Sequence, residues 1–291
     1  MDYDILMDNI KKTHSDQIRI FTKDQYLLKY TKYSGLIHVQ SITKFFVSLA
    51  IGILYTHNLI KIEDPVKKYL PKFPHDDITI LNILTHTSGI EHEYSTKINK
   101  KWVLTQTAER FENMSIDFDD FIYDLKRVNP IGQYHYNNFT PNILTLVIQT
   151  LTGMDIDQYL DQKMFRYMNF KYKWLKKKNK CFAAYGLFTD SDSLIEIGKM
   201  IINNGIYNDK YIISKRYLNM MQTKYIYDNG LFSEIVHGLT GHRGADGQYF
   251  FYNKHHKLII VRLVNEIEND IVYDNFLKDV LKYYHLIKCD L

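Results

Sequence analysis

Between Phe45 and Leu54 the chain reads Phe-Phe-Val-Ser-Leu-Ala-Ile-Gly-Ile-Leu. With so few polar positions, this run predicts a helix buried on every side, too short to span a bilayer. Elsewhere the apolar positions are spaced more selectively. Ile5, Leu6 and Ile10 predict a short amphipathic helix over 2–13. Ile18–Phe21 and Tyr26–Tyr30, separated by Lys23-Asp24-Gln25, predict a β-hairpin. The buried helix ends near His57-Asn58, and residues 59–74, with Asp64-Pro65, Pro71 and Pro74, read as a surface loop. Thr79 can cap a helix carrying Ile80, Ile83 and Leu84 that Ser88-Gly89 ends. Residues 91–130 are polar, charged and aromatic, with only weak helical spacing, and read as a helical or loop insertion.

Gly132–Asn138 is rich in turn residues, and Thr140-Pro141 then opens an apolar helix that Thr152-Gly153 stops. Further helices are expected at about 155–168, after the caps of Thr189–Asp192, and after Ser214. Residues 170–187 read as extended and irregular. Leu239–Tyr252 and Lys257–Val264, joined by Asn253-Lys254-His255-His256, predict an antiparallel hairpin. Val272, Phe276, Val280 and Tyr284 predict an amphipathic helix over 270–286.

Strands therefore fall at both ends of the chain and helices in the middle. That order predicts a single α+β domain over 1–291, with one antiparallel sheet built from both termini and flanked by the terminal helices. Residues 1–60 and 185–291 would form the α/β lobe, and 61–184 an inserted all-helical lobe. A site is expected where the lobes meet.

Composition narrows the function classes. The chain has 291 residues, 45% of them hydrophobic, which supports a substantial core and argues against disorder. A net charge of +4 is a weak excess at this length and does not call for a nucleic-acid partner. The basic run Lys176–Lys180 reads as a solvated turn. Cys181 and Cys289 lie far apart in sequence and are expected as two free thiols of a reducing compartment, with a disulfide between them the alternative. The opening Met1-Asp2-Tyr3-Asp4 lacks the basic-then-apolar pattern of a signal peptide, so a cytoplasmic location without a membrane span is the expectation. No metal is expected, because His86, His92, His255 and His256 lack ligand spacing and no Cys-x-x-Cys occurs. There is no phosphate-binding glycine loop, and the lack of a Gly-x-Ser-x-Gly elbow excludes the α/β-hydrolase class.

Three constellations carry chemistry. Ser41 and Lys44 stand three apart at the mouth of the buried helix, hence on one face. A lysine among apolar walls can act as the base a serine nucleophile needs, and the helix N-terminus favours an oxyanion. The same pair also fits an N-cap serine with a solvated lysine. Tyr136-Asn137-Asn138 precedes an apolar helix. Its phenol can share a proton with an ammonium and its carboxamide can orient a lysine or a substrate carbonyl, yet a packed tyrosine with a turn asparagine fits too. Gly241-His242-Arg243-Gly244-Ala245-Asp246-Gly247 combines glycines that admit a substrate with strand N–H groups that can complete an oxyanion hole. A β-bulge bearing a surface His-Arg pair is the other possibility.

In this order the three constellations resemble the class C β-lactamase-like serine hydrolases, a group of β-lactamases, DD-peptidases, family VIII-type carboxylesterases and aminohexanoate-oligomer hydrolases. Ser41–Gly52, Leu59–Val66 with Tyr69-Leu70-Pro71, Ile78–Gly89, Asn137–Gly153, Gly186–Leu194 and Gly241–Gly247 all fit, and the resemblance covers roughly residues 17–265. It implies a β-lactamase/transpeptidase-like fold and no metal or organic cofactor. It also implies Ser41 as the acylated nucleophile, Lys44 as its base, Tyr136 as proton relay and Asn138 as the group orienting Lys44 and substrate. His242, Arg243 and Gly244 would stand where the family carries Lys-Thr-Gly or His-x-Gly, and the N–H groups of Ser41 and Ala245 would form the oxyanion hole. Histidine in that first place is common in the esterase-like branches. Arginine in the middle is unusual: facing the cleft it would clamp a substrate carboxylate, and facing out it would be a surface charge.

The chain is short for the family, which implies a trimmed helical lobe and an open cleft. The expected activity is hydrolysis of small esters or amides through an acyl-enzyme. A DD-peptidase or weak β-lactamase is the first alternative, and a non-hydrolytic sensor or binding module the second. The sequence does not set the oligomeric state.

Overall fold

The computed structural model describes residues 2–92, 94–98, 101–104, 117–177, 179–265 and 274–284. The N-terminal helix α1 (Asp2–Lys12) leads into strands β1 (Gln17–Thr22) and β2 (Gln25–Thr31). The run at Phe45 forms helix α2 (Ile42–Thr56), whose residues from Ile42 to Leu54 are all buried. Thr79 caps α3 (Ile80–Leu84) in a reciprocal box with Asn82. Helices α4 (Phe118–Asp124), α5 (Thr140–Thr152) and α6 (Ile156–Lys163) follow, and Gly153, at φ 72°, closes α5. Asp190 and Ser214 then cap α7 (Ser191–Ile202) and α8 (Lys215–Met221). The chain returns to the sheet through β3 (Glu234–Val236), β4 (Leu239–Gly244), β5 (Gln248–Asn253) and β6 (Leu258–Leu263), then reaches α9 (Phe276–Tyr283).

The six-stranded sheet runs β3-β4-β5-β6-β1-β2, so strands from both ends of the chain meet where β6 pairs with β1. Alternation gives the sheet two apolar faces. One packs on α2 and α7, with Phe45 edge-on to Phe250 at 5.3 Å. The other buries Ile18, Ile20 and Phe251 under Leu6 and Ile10 of α1 and Phe276 and Val280 of α9. Buried Arg262 of β6 ties the termini together, donating from Nε to Ser15 Oγ and from Nη2 to the Thr13 carbonyl, 2.8 Å each. Its Nη1 donates to the Gly247 carbonyl, in the turn that follows β4.

Three details differ from the hydrophobic pattern. The β-prone run Leu239–Tyr252 is two strands, not one. Asp246 (φ 67°) and Gly247 (φ 78°) reverse the chain after β4, and the preceding segment adds β3. Strand propensity is blind to a break only two left-handed residues long. Within 91–130, residues Tyr94–Ile98 and Lys101–Leu104 pair as a ribbon ahead of α4. Lys176–Lys177 and Lys180–Cys181 also pair, and Lys176 reaches Asp157 at 2.6 Å, so this basic run is partly neutralised. Cys181 is a buried free thiol, while Cys289, like Val272 of the expected C-terminal helix, lies outside the described residues.

Candidate active site

The start of α2 is fixed from three directions. The Val39 N–H donates to the Leu187 carbonyl at 3.0 Å. Gln40 adopts a left-handed φ of 52° and donates from Nε2 to Asp246 Oδ2 at 3.0 Å. Thr43 Oγ1 donates to the Gln40 carbonyl at 2.7 Å and accepts from Leu187 N–H at 3.1 Å. Ser41 is already helical (φ −65°, ψ −10°), and its side chain makes no capping bond. Its Oγ instead accepts from Lys44 Nζ at 3.1 Å, which disposes of the N-cap account.

Lys44 is equally far from a solvated surface charge. Its side chain is fully buried, and Nζ also donates to the Ala184 carbonyl at 2.9 Å. The ammonium lies 4.7 Å from the centroid of the Tyr136 ring. Ser41, Lys44 and Tyr136 are thus brought together, although two of them are far from the third in sequence.

Tyr136 owes its place to neighbours that sequence reasoning passed over. Asn137 is buried: its Nδ2 donates to the carbonyls of Ile90 and Glu91, while its Oδ1 accepts the N–H groups of Phe139 and Thr140. That anchors the turn and opens α5 with a side-chain acceptor. The Asn137 N–H donates to His86 Nδ1 at 3.2 Å, and the His86 ring lies 4.7 Å from Tyr136 and 4.8 Å from Phe232. In the sequence His86 lies within the Ile78–Gly89 stretch and lacks metal-ligand spacing, and nothing there marks it as a support of Tyr136. Its left-handed φ of 56°, just before Thr87-Ser88-Gly89, has no signature in composition or periodicity. Asn138 is half-buried at the entry to α5, with its carbonyl accepting from Asn142 Nδ2 at 3.2 Å.

β4 supplies the opposite wall. A Cβ built on Gly244 would stand 2.5 Å from the Val39 carbonyl oxygen and 3.0 Å from Gln40 Cβ, so this position admits only glycine without displacement. The close approach brings the end of β4 against Val39 and Gln40, the two residues just before Ser41. His242 pairs with Phe250 and shares its face of the sheet, toward α2. Its Nδ1 meets the Arg243 carbonyl at 2.6 Å, which assigns the ring proton to Nδ1 and leaves Nε2 as an acceptor.

Arg243 pairs with Tyr249 and follows the other face, but its guanidinium turns to Glu234, with Nε 2.7 Å and Nη2 2.6 Å from Oε2. The carboxylate clamp expected of a cleft-facing Arg243 is therefore engaged within the protein. A cavity of about 350 Å3 opens between these walls, lined by His86, Tyr136, Phe232, Glu234, His242 and Arg243 among others. Tyr134 also lines it; burial first, then the nearby Glu234 carboxylate, pushes its phenol up to about 12.

Both imidazoles are held toward the neutral form. Burial lowers His86 well below its ordinary value, with the Lys44 charge adding to the effect. Burial also lowers His242, against the opposing pull of Glu234. Each therefore contributes stability that is fully present above the ordinary imidazole value of about 6.5 and is lost as pH falls toward the depressed folded value. Below about 6.5 the unfolded chain binds protons that the folded chain refuses. The melting temperature is expected to drop between pH 7.5 and pH 5. His86→Asn, which tolerates the left-handed backbone and cannot titrate, should flatten that drop; parallel slopes by calorimetry would exclude His86 as a source.

Among the described residues, one group offers metal-ligating atoms within 4.8 Å of one another: Asp155, Asp157 and Cys181. Lys176 Nζ already lies 2.6 Å from Asp157 and supplies a cation there. No helix among the described residues is long and apolar enough to cross a membrane.

Comparison with known proteins agrees with this architecture. Residues 34–177 match the Beta-lactamase family model. The Bacillus subtilis protein PbpX is 30% identical over 135 residues, which cover 44% of this chain and 30% of that protein. The chain thus spans under a third of the length of the curated relative. Among solved structures, a penicillin-binding protein homologue from Caulobacter crescentus superposes with a TM-score of 0.78 at 11% identity, covering 98% of both chains. A family VIII carboxylesterase gives 0.76 at 14% identity, covering 98% of this chain and 96% of the other. Nearly half of the chain thus matches the Beta-lactamase family model, and the structure has the β-lactamase/transpeptidase-like fold. Proteins of that fold include carboxylesterases and penicillin-binding protein homologues.

Proposed function

We propose that this protein is a serine hydrolase that cleaves small esters or amides through an acyl-enzyme on Ser41. The observation carrying the proposal is the 3.1 Å contact between Ser41 Oγ and the fully buried Lys44 Nζ at a helix start. An ammonium is costly in such surroundings, so a neutral amine that accepts the serine proton is the useful form.

Ser41 Oγ attacks the substrate carbonyl while its proton passes to Lys44 Nζ. The developing oxyanion is held by the N–H groups of Ser41 and Ala245, an arrangement supported by the close approach of Gly244, which precedes Ala245, to Val39 and Gln40, which precede Ser41. Collapse expels the leaving group, which takes the proton back from Lys44 by way of the Tyr136 hydroxyl. Water, deprotonated along the same path, then releases the acid and restores Ser41. Asn138 orients Lys44 and the substrate. His242, neutral with Nε2 free to accept, lines the acyl or leaving-group pocket. Esters are the easier substrates, because an alkoxide departs more readily than an amine.

Intact-mass spectrometry after a fluorophosphonate, then after a penicillin, tests the assignment. One fluorophosphonate adduct that Ser41→Ala abolishes is the expected result. A slowly released penicilloyl adduct would shift the activity toward a DD-peptidase or weak β-lactamase. No adduct with either reagent would leave a non-hydrolytic binding module as the better account.

A further inference from the structure

β4 pairs with β3 only as far as Gly241, which stands opposite Glu234, yet the strand runs on to Gly244. In an antiparallel sheet the outward-pointing backbone groups recur at every second residue. The N–H and C=O of Arg243 therefore point to the same edge as those of Gly241. A strand edge that continues past its partner is where an extended ligand adds, its carbonyls accepting from the strand N–H groups.

Here that edge is capped from within. Glu234 Oε1 accepts the Arg243 N–H at 3.0 Å. Its other oxygen is gripped by the Arg243 side chain at 2.7 Å and 2.6 Å, so the residue that owns the N–H also holds the cap in place. The Arg243 carbonyl is engaged by His242 Nδ1 at 2.6 Å. Glu234, Arg243 and His242 all line the cavity that Tyr136 shares, so the capped groups border the proposed substrate path.

We propose that Glu234 is a specificity-determining residue that occupies the β4 edge and confines the enzyme to short acyl groups lacking an amide that could add to the sheet. The inference rests on the hydrolase assignment above. It explains why an arginine is compatible with this strand position: the side chain serves the cap and is not a carboxylate receptor. An extended peptidyl donor would have to displace a carboxylate hydrogen-bonded to the strand and ion-paired to its own neighbour.

The test uses the full chain and two p-nitrophenyl esters of equal acyl length, N-acetylglycyl and pentanoyl. Only the first carries an amide. The ratio of their kcat/KM values is compared across the wild-type protein and Glu234→Ala, Glu234→Asp and Glu234→Gln variants, which cancels their different intrinsic reactivity. Ala and Asp both withdraw the acceptor from the Arg243 N–H, and Asp does so while keeping a charge for the guanidinium. Each is expected to raise the ratio about tenfold, the worth of one freed hydrogen bond. Gln keeps an oxygen at the N–H and should stay within about twofold of wild type. An unchanged ratio in active Ala and Asp variants would overturn the cap alone, as would a Gln variant that rises as far as Ala. A wild-type protein inert to both esters and unlabelled at Ser41 would overturn the hydrolase assignment and the cap with it.

Discussion

Ser41→Ala is expected to lower kcat for p-nitrophenyl acetate by at least about a thousandfold, with a melting temperature within a few degrees of wild type. The substitution removes the hydroxyl proposed to carry the acyl group, while the backbone at Ser41 and the cavity remain. Residual turnover should therefore lack any burst phase, because no acyl-enzyme accumulates. The fold has little reason to change. Ser41 is not a side-chain cap, and Gln40, Val39 and Thr43 hold the start of α2 through bonds that do not involve its hydroxyl. What the variant loses structurally is an acceptor for Lys44 Nζ, which keeps its bond to the Ala184 carbonyl. Stopped-flow kinetics beside a thermal melt separates the two readouts. A variant that retains its burst would place the nucleophile elsewhere.

The parts of this site that follow helical spacing are legible in the sequence. Ser41 and Lys44 are three apart on a helix whose apolar run announced its burial, and that geometry alone forces their side chains together. Tyr136 and His242 were candidates, but their convergence on Lys44 depends on packing of α5 and β4 against α2, which no local pattern encodes. Gly244 illustrates what a motif hides: the glycine is needed because the Val39 carbonyl sits where a Cβ would go. His86 and Asn137 were missed as supports of Tyr136 because their contacts are long-range bonds between loops. The division of Leu239–Tyr252 into two strands was hidden by uniform strand propensity around Asp246. The engagement of Arg243 by Glu234 required the β3 hairpin, a strand that the hydrophobic pattern did not mark.

Lys44→Met is the sharper test of how the serine is activated, since it removes the amine and keeps most of the side-chain volume. Loss of a general base is worth about a hundredfold to ten-thousandfold, and the upper half of that range is expected here, because Lys44 would serve both acylation and deacylation. Stability should move little or rise. A fully buried cationic side chain carries a desolvation cost, and replacing it with an apolar one of similar size is often neutral or stabilising. The opposing cost is the Ala184 carbonyl, which loses its donor and is worth about 1–3 kcal/mol if nothing replaces it. Activity and stability are thus predicted to part company, which a merely structural lysine would not produce. If Lys44→Met keeps turnover within tenfold of wild type, the proton must leave Ser41 by another path. Tyr136, whose ring already lies over the Lys44 ammonium, would then be the base to test.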